Sequence, residues 1–513
     1  MDIKIIIIIV AAIFSAIMIG VAYKINGEDQ PKPLWMLFFT EMWERFSFYG
    51  MRALLMLYMT KVLLMEDTEA NLQYGAYNAL VYTMPLLGGW VADKILGYRK
   101  SIVLGGLLMA LGHLVLALPS NFTFFIGLGF LITGNGFFKP NISSLLGTYY
   151  TANDPRKDTG YSIFYMGVNI GAFLGSLLCG YLGQEVSWHL GFGVAGFFMI
   201  FGLIVFLLNK HILGDKGFEV DTAWLHTVQF GIKKEYLLYI GVFILVPISV
   251  FLVKFHQLTT YFMLPLFIVS IVYVIYLSRQ FSKEEKEKLW AAAIMIVLTV
   301  MFWGFYEQSG GSLNLMADRN VDFTVGSSKL GSAMVNNSLN PFYIVFLTPI
   351  LGAFYNYLNK KNKAISIPQK FALSFILVGA GYFMFYMGGM AGKASGMMPF
   401  IYFMMAYFII TLGELFISPI GLAMITKLSP MKMFGFMMGV FFLASALGHK
   451  LAGWIGTMMA IPEKNANGMD FTPVESLPIY MNGCYNIAII SLAMGVFIFI
   501  ISRFIQKWMH GVK

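Results

Sequence analysis

The chemistry-bearing residues of this chain lie where the surrounding sequence is least polar. Residues 40–52 read Thr40-Glu41-Met42-Trp43-Glu44-Arg45-Phe46-Ser47-Phe48-Tyr49-Gly50-Met51-Arg52. On a helix, Glu41, Glu44, Arg45, Tyr49 and Arg52 fall at about 0°, −60°, 40°, 80° and 20°, all on one face. Glu41 and Arg45 stand at the i,i+4 spacing of an ion pair, so a structural network accounts for the Glu41–Glu44–Arg45 trio. It does not account for Arg52, which has no acid three or four residues away and must take its partner from another helix. Four more charges stand in apolar runs: Lys139 before Pro140, Glu307 after Phe302-Trp303-Gly304-Phe305-Tyr306, Glu414 after Gly413, and Lys450 after Gly448-His449. Acids Glu41, Glu44, Glu307 and Glu414 thus balance bases Arg45, Arg52, Lys139 and Lys450, as a dry interior demands. A buried carboxylate that can exchange a cation partner for a proton is the least hardware needed to couple a process to a proton gradient. For Lys450 a second reading stands equal, a helix-end lysine snorkelling outward.

Tyr49, Tyr82, Asn169, Trp303, Tyr306, Asn340 and Ser418 also interrupt apolar runs, where single polar groups commonly bond between helices. Gly167, Gly171 and Gly175 recur every four residues and predict close helix packing. Other chemistries lack their residues. The seven histidines show no metal-ligand spacing, no Gly-Lys-Ser/Thr loop cradles phosphate, and no nucleophile elbow surrounds a Ser or Cys. The expectation is therefore no metal, no cofactor and no enzyme active site, with a proton gradient as the energy source.

These charges need elements that hold them in oil. Of 513 residues, 58% are hydrophobic and only 12% charged, with 48 Phe, 35 Met and 52 Gly. Such a composition excludes disorder, a coiled coil and a soluble multidomain enzyme, because a water-facing surface needs more charge. About fifteen stretches reach the ~20 apolar residues that a membrane-spanning helix requires. Among them are Ile3–Tyr23, Trp35–Leu64, Leu289–Leu313, Asn340–Tyr357, Phe400–Ala423 and Cys484–Ile505. Alternate loops carry Lys94, Arg99 and Lys100, then Arg156 and Lys157, then Lys360, Lys361, Lys363 and Lys370, then Lys427 and Lys432; the tail adds Arg503, Lys507 and Lys513. The positive-inside rule makes these loops and the C-terminus cytoplasmic. It also explains the net charge of +9 without a nucleic-acid partner. Ile3–Tyr23 resembles a signal peptide, but cleavage would reverse the loop charges, so an uncleaved helix with its N-terminus outside is expected.

The expected organisation is an extra N-terminal helix in 1–27, a six-helix bundle in 28–212, a linker and two-helix hairpin in 213–282 (the hairpin being Tyr236–Leu277), and a second six-helix bundle in 283–513. Lys283-Glu284-Glu285-Lys286-Glu287-Lys288 reads as a solvated linker or helix start. Two six-helix halves suit an arrangement in which bundles rock about a midplane site.

The loop Gly89-Trp90-Val91-Ala92-Asp93-Lys94-Ile95-Leu96-Gly97-Tyr98-Arg99-Lys100 resembles a signature of the major facilitator superfamily. Glu41-x-x-Glu44-Arg45-Phe46-Ser47-Phe48-Tyr49-Gly50 resembles the hallmark of the proton-dependent oligopeptide transporters of bacterial type. Further blocks of that family follow in order: Gly136-x-x-Lys139-Pro140-Asn141, Phe164-Tyr165-Met166-Gly167-Val168-Asn169-Ile170-Gly171, Phe302-Trp303-x-x-x-Glu307-Gln308 and Gly413-Glu414-x-x-x-Ser418-Pro419. The resemblance runs from about Trp35 to the end and implies an all-α integral membrane protein of the major facilitator fold. It further implies proton-coupled symport of di- and tripeptides across the inner (cytoplasmic) membrane by alternating access.

By the same resemblance Glu41, Glu44 and Arg45 form a proton-coupling cluster. Arg52 and Glu307 form an extracellular ion pair that breaks when Glu307 is protonated, and Lys139 and Glu414 form the intracellular counterpart. A peptide is a dipolar ion and needs a cation for its carboxylate and an acid for its ammonium. Arg52 and Lys139 suit the first, and Glu414 with Asn169 and Asn340 the second, while Tyr49, Tyr82, Trp303 and Ser418 line the pocket. There are departures. Phe48 stands where many relatives have tyrosine, Phe441 where some bacterial ones have tryptophan, and Gly75-Ala76 lacks the histidine of animal members, which removes that proton route. Another small zwitterion or anion as cargo is the side reading, and a membrane-embedded enzyme the reading from another class.

Overall fold

In oil a backbone must satisfy its own hydrogen bonds, and uninterrupted apolar sequence does so as helix. A computed structural model describes residues 2–512 except 152, 153, 362, 419, 420 and 466; Pro419 and Lys513 therefore lie outside the described residues. The helices are α1 (Ile3–Ala22), α2 (Lys32–Lys61), α3 (Asp67–Val91), α4 (Tyr98–Leu116), α5 (Asn121–Gly147), α6 (Lys157–Glu185), α7 (Trp188–Leu208), the short α8 (Thr222–His226), α9 (Lys234–Lys254) and α10 (His256–Leu277). They continue as α11 (Lys283–Tyr306), α12 (Ser312–Asn320), α13 (Ser332–Lys360), α14 (Ile367–Ala391), α15 (Phe400–Leu415), α16 (Gly421–Leu428), α17 (Phe434–Gly456) and α18 (Pro473–Trp508). Among the described residues, strand is limited to two-residue pairs, such as the Val228–Gln229/Ile232–Lys233 hairpin.

Among the described residues, twelve helical stretches are long and apolar enough to cross a membrane. α2 and α3, at 30 and 25 residues, are equally long but diluted by polar side chains, and α15 has 16. Each stretch expected to span is thus met by a helix, with four corrections. Phe400–Ala423 is not continuous, because α15 ends at Leu415 and α16 begins at Gly421. Leu289–Leu313 breaks at Glu307, where a 3-10 turn over Glu307–Gly310 separates α11 from α12. The helix expected over Asn340–Tyr357 starts at Ser332, and the last helix runs 36 residues, well beyond Cys484–Ile505. Polar helix ends carry no hydropathy signal, which is why the sequence hides them. The charge run at Lys283 is a helix start, with Ser282 and Glu285 forming a reciprocal cap.

Contacts divide the chain into two units, Met1–Tyr58 with Leu80–Phe255 and Leu330–Pro341, and Met59–Ala79 with His256–Lys329 and Phe342–Lys513. The boundary passes within α2, α3 and α13, between the two hairpin helices, and just before α13 at Leu330. In the first unit α2 lies against α6 at the glycine repeat. A Cβ on Gly171 would stand 2.1 Å from the Met42 carbonyl oxygen, and one on Gly175 2.2 Å from that of Phe46. On its other side α2 stacks Trp43 on Phe198 of α7, with ring centroids 4.7 Å apart. α1 lies along α6 with Lys4 2.7 Å from Glu185 and Ala11 packed with Leu177, so its N-terminal end meets the C-terminal end of α6. α9 crosses α5 where a Cβ on Gly129 would stand 2.8 Å from the Val246 carbonyl oxygen. In the second unit α17 packs on α11, α18 on α14, and α10 on α17.

Gly171→Leu forces backbone apart from backbone and is expected to lower stability by about 1–3 kcal/mol. Thermal unfolding in detergent checks this; an unchanged midpoint would contradict the close contact.

Candidate functional site

α2 carries its charges on a face closed from water. Arg45 Nε donates to Glu41 Oε1 at 2.8 Å and lies 2.7 Å from Glu44 Oε2, with the side chains of Arg45, Glu41 and Glu44 only 3%, 5% and 0% exposed. The i,i+4 pair expected from sequence is therefore present, and the same nitrogen also touches the second acid. Among the described residues, neither Glu44 oxygen accepts a hydrogen bond. Its contact with Arg45 is one of charge alone. A turn and more further along, the Arg45 guanidinium lies 5.8 Å from the Phe48 ring centroid and that of Arg52 5.7 Å from the Tyr49 ring.

Lys139 is supplied by α5. Gly136 admits α3 closely, since a Cβ on Gly88 would stand 2.1 Å from the Gly136 carbonyl oxygen. Pro140 has no N–H with which to bond that carbonyl along the helix. Asn141 bridges the crossing, its Nδ2 donating to Gly88 O at 3.3 Å and to Phe137 O at 2.7 Å. Lys139 is thereby held with its ammonium 4.3 Å from the Tyr82 ring centroid, and its charge acts on Glu44. Asn169, on the α6 turn that meets α2, donates to Tyr165 O at 2.9 Å, and half-buried Asn340 completes the residues of this unit.

The second unit holds Trp303, Glu307, Glu414 and Ser418. Glu307 caps the end of α11, its N–H donating to Trp303 O, and is not a mid-helix residue. Gln308 fixes that end, its Nε2 donating to Gly304 O and to Ala452 O of α17, each at 2.9 Å. Tyr382 of α14 adds a hydroxyl bond to Phe305 O at 2.7 Å. One residue before Glu307, the Tyr306 hydroxyl donates to Glu414. Ser418 donates to the other Glu414 oxygen at 3.3 Å. Ser374 holds Gly413 O at 2.6 Å, where α15 ends. The pairs Arg52–Glu307 and Lys139–Glu414 each draw one member from each unit.

Three features escaped sequence reasoning. Tyr306 was visible only as a polar aromatic, and its bond to Glu414 spans 108 residues. His449 brings Nδ1 to 3.9 Å from Glu307 Oε1. Asp67 is buried at the start of α3, where it takes Arg319 Nη2 at 2.8 Å and Ile461 N at 3.0 Å. No local spacing links residues so far apart in the chain. Lys450 does not snorkel: it is buried inside α17 with Nζ 3.4 Å from Leu72 O.

A family model described as the POT family matches residues 99–471. The chain belongs to the POT family. A Bacillus subtilis (strain 168) protein named uncharacterized transporter YclF is 34% identical over 497 residues, covering 94% of this chain and 96% of the relative. Dipeptide and tripeptide permease B of Shigella dysenteriae serotype 1 (strain Sd197) is 32% identical over 485 residues, covering 93% and 96%. A crystal structure of peptide transporter POT in complex with sulfate aligns with TM-score 0.79 at 33% identity, over 94% of this chain and 96% of that one. The chain is thus a multi-pass membrane transporter of the major facilitator fold, not an enzyme.

Within this POT-family chain, removing the shared cation should cost far more stability than neutralising the acid that accepts no hydrogen bond. Arg45→Met is expected to destabilise by about 3–5 kcal/mol, and Glu44→Gln by less than about 1 kcal/mol. Unfolding midpoints in detergent check the difference; equal losses would contradict the bonding described.

Proposed function

We propose that this chain carries di- and tripeptides together with protons across the cytoplasmic membrane by alternating access. Relatives named dipeptide and tripeptide permeases support the cargo. The observation that carries the coupling is the buried trio in which one guanidinium serves Glu41 and Glu44, while Glu44 accepts no hydrogen bond among the described residues. Two carboxylates against one close cation leave a surplus negative charge in low dielectric, and Lys139 offsets it electrostatically. A peptide carboxylate that engages Lys139 withdraws that offset, and a proton on Glu44 restores neutrality. Binding of cargo and of proton then favour each other, as symport requires.

The remaining roles follow the family resemblance. Arg52 and Lys139 take the peptide carboxylate, and Glu414 with Asn169 and Asn340 the ammonium. Tyr49, Tyr82, Trp303 and Ser418 form the walls. Arg52–Glu307 and Lys139–Glu414 serve as gate pairs, the first released when Glu307 is protonated. Tyr306 joins this set because it bonds Glu414 directly. The basic loops and the tail face the cytoplasm. The N-terminal end of α1, beside Glu185, then lies outside, since α6 begins in the basic loop at Lys157. Membrane lipid surrounds the chain; no cofactor and no nucleic acid take part.

Purified protein in liposomes is expected to accumulate labelled dialanine above equilibrium under an inward-acid gradient. Glu44→Gln and Glu307→Gln are each expected to abolish accumulation while counterflow exchange persists. Uptake indifferent to the gradient, or equal loss of both activities in the variants, would contradict the proposal.

A further inference from the structure

A second buried acid has a titratable partner that the roles above leave unused. The His449 side chain is 3% exposed and that of Glu307 8%, with Nδ1 and Oε1 3.9 Å apart. That separation exceeds a hydrogen bond, yet a small rotation or one bridging water closes it. The approach is built in. The Gln308 bond to Ala452 O ties the end of α11 to α17. The ring of Trp303, one turn before Glu307, stands 6.1 Å from the His449 ring. α3 presses on the same turn of α17, since a Cβ on Gly75 would stand 2.8 Å from Gly453 Cα and 3.3 Å from His449 O.

Charged and titratable groups also lie around this histidine. On its own helix Lys450 bonds Leu72 O of α3. Glu69 of α3, 44% exposed, lies 3.2 Å from His256 of α10, and both are within electrostatic reach of Lys450. α11 contributes Tyr306 beside Glu307, and α14 contributes Tyr382, whose hydroxyl feels the Glu307 charge. Glu69, His256 and Lys450 thus form one titratable group on the α3 side of α17, and Glu307, Tyr306 and Tyr382 another at the end of α11, with His449 next to Lys450 in the chain and facing Glu307.

We propose that His449 is the proton-relay residue that loads Glu307. The inference rests on the reading that Glu307 is protonated during transport. In the step the Nδ1–H bond of the imidazolium breaks and an O–H bond forms on the Glu307 carboxylate. A neutral imidazole and a neutral acid remain, and the imidazole regains its proton from water-borne hydronium. An ion pair becomes a neutral pair, so no net charge is carried into the apolar interior at that step. Histidine suits the task because it gains and loses a proton near neutral pH.

The test is gradient-driven dialanine uptake in proteoliposomes as a function of external pH, for wild type and His449→Gln, with counterflow exchange measured alongside. His449→Gln is expected to slow initial uphill uptake by about ten-fold or more near neutral external pH. The deficit should shrink as external pH falls and hydronium reaches Glu307 directly, while counterflow stays unchanged. In a Glu307→Gln background the same substitution should have no further effect on either activity. A wild-type pH profile for His449→Gln, or equal loss of uptake and counterflow at every pH, would overturn the inference. His449→Asn gives the same readings if His449→Gln does not insert. Absence of gradient dependence in wild type would overturn the symport reading and this inference with it; coupled wild type with an unaltered His449→Gln profile would overturn this inference alone.

Discussion

A guanidinium shared by two carboxylates, shut away from water within one helix, is the constraint to which the first unit is built. Each of those charges loses several kcal/mol of hydration on burial and recovers it only with a partner at bonding distance. Arg45 gives its Nε hydrogen bond to Glu41 and offers Glu44 only proximity. Holding that unequal arrangement still requires a rigid α2. Rigidity comes from both flanks: backbone against backbone at Gly171 and Gly175 of α6, and ring against ring at Trp43 and Phe198 of α7. The packing glycines and the buried charges are thus parts of one design, because a looser helix would admit water and dissolve the charge imbalance that makes a proton useful.

The second unit treats its acids differently. Glu414 is held by hydroxyls of Tyr306 and Ser418, and Glu307 is approached by an imidazole. Hydroxyls can bond a carboxylate or an acid, and an imidazole can be charged or not, so these surroundings serve either protonation state of the acid. Tyr306 and Glu307 are chain neighbours at the broken end of α11, so the bond that holds one acid is adjacent to the other. A 3-10 turn over Glu307–Gly310 ends the α-helix at that point.

Helical spacing made the Glu41–Arg45 pair legible in the sequence, and hydropathy made every spanning helix legible, because both signals are local. The packing role of Gly167, Gly171 and Gly175 was legible for the same reason. Partners contributed by distant segments were not. Asp67 is one acid among many until Arg319 is brought to it, and His449 is one scattered histidine until α17 meets the end of α11. The breaks after Tyr306 and Leu415 also escaped: apolar Phe416 and Ile417 carry the pattern on after the second, and the short polar stretch 307–312 stands between apolar Tyr306 and Leu313 at the first. Lys450 could not be assigned from sequence because burial, which excludes snorkelling, depends on the packing of α3 against α17.

The central claim is that Glu44 takes up a proton when a zwitterionic cargo draws away the charge that offsets it. Infrared difference spectroscopy of the reconstituted protein, with and without dialanine, reads this directly through the carbonyl stretch of protonated carboxylic acids. The account predicts a cargo-induced band in the wild type that is lost in Glu44→Gln. An identical difference spectrum in the two proteins would contradict it.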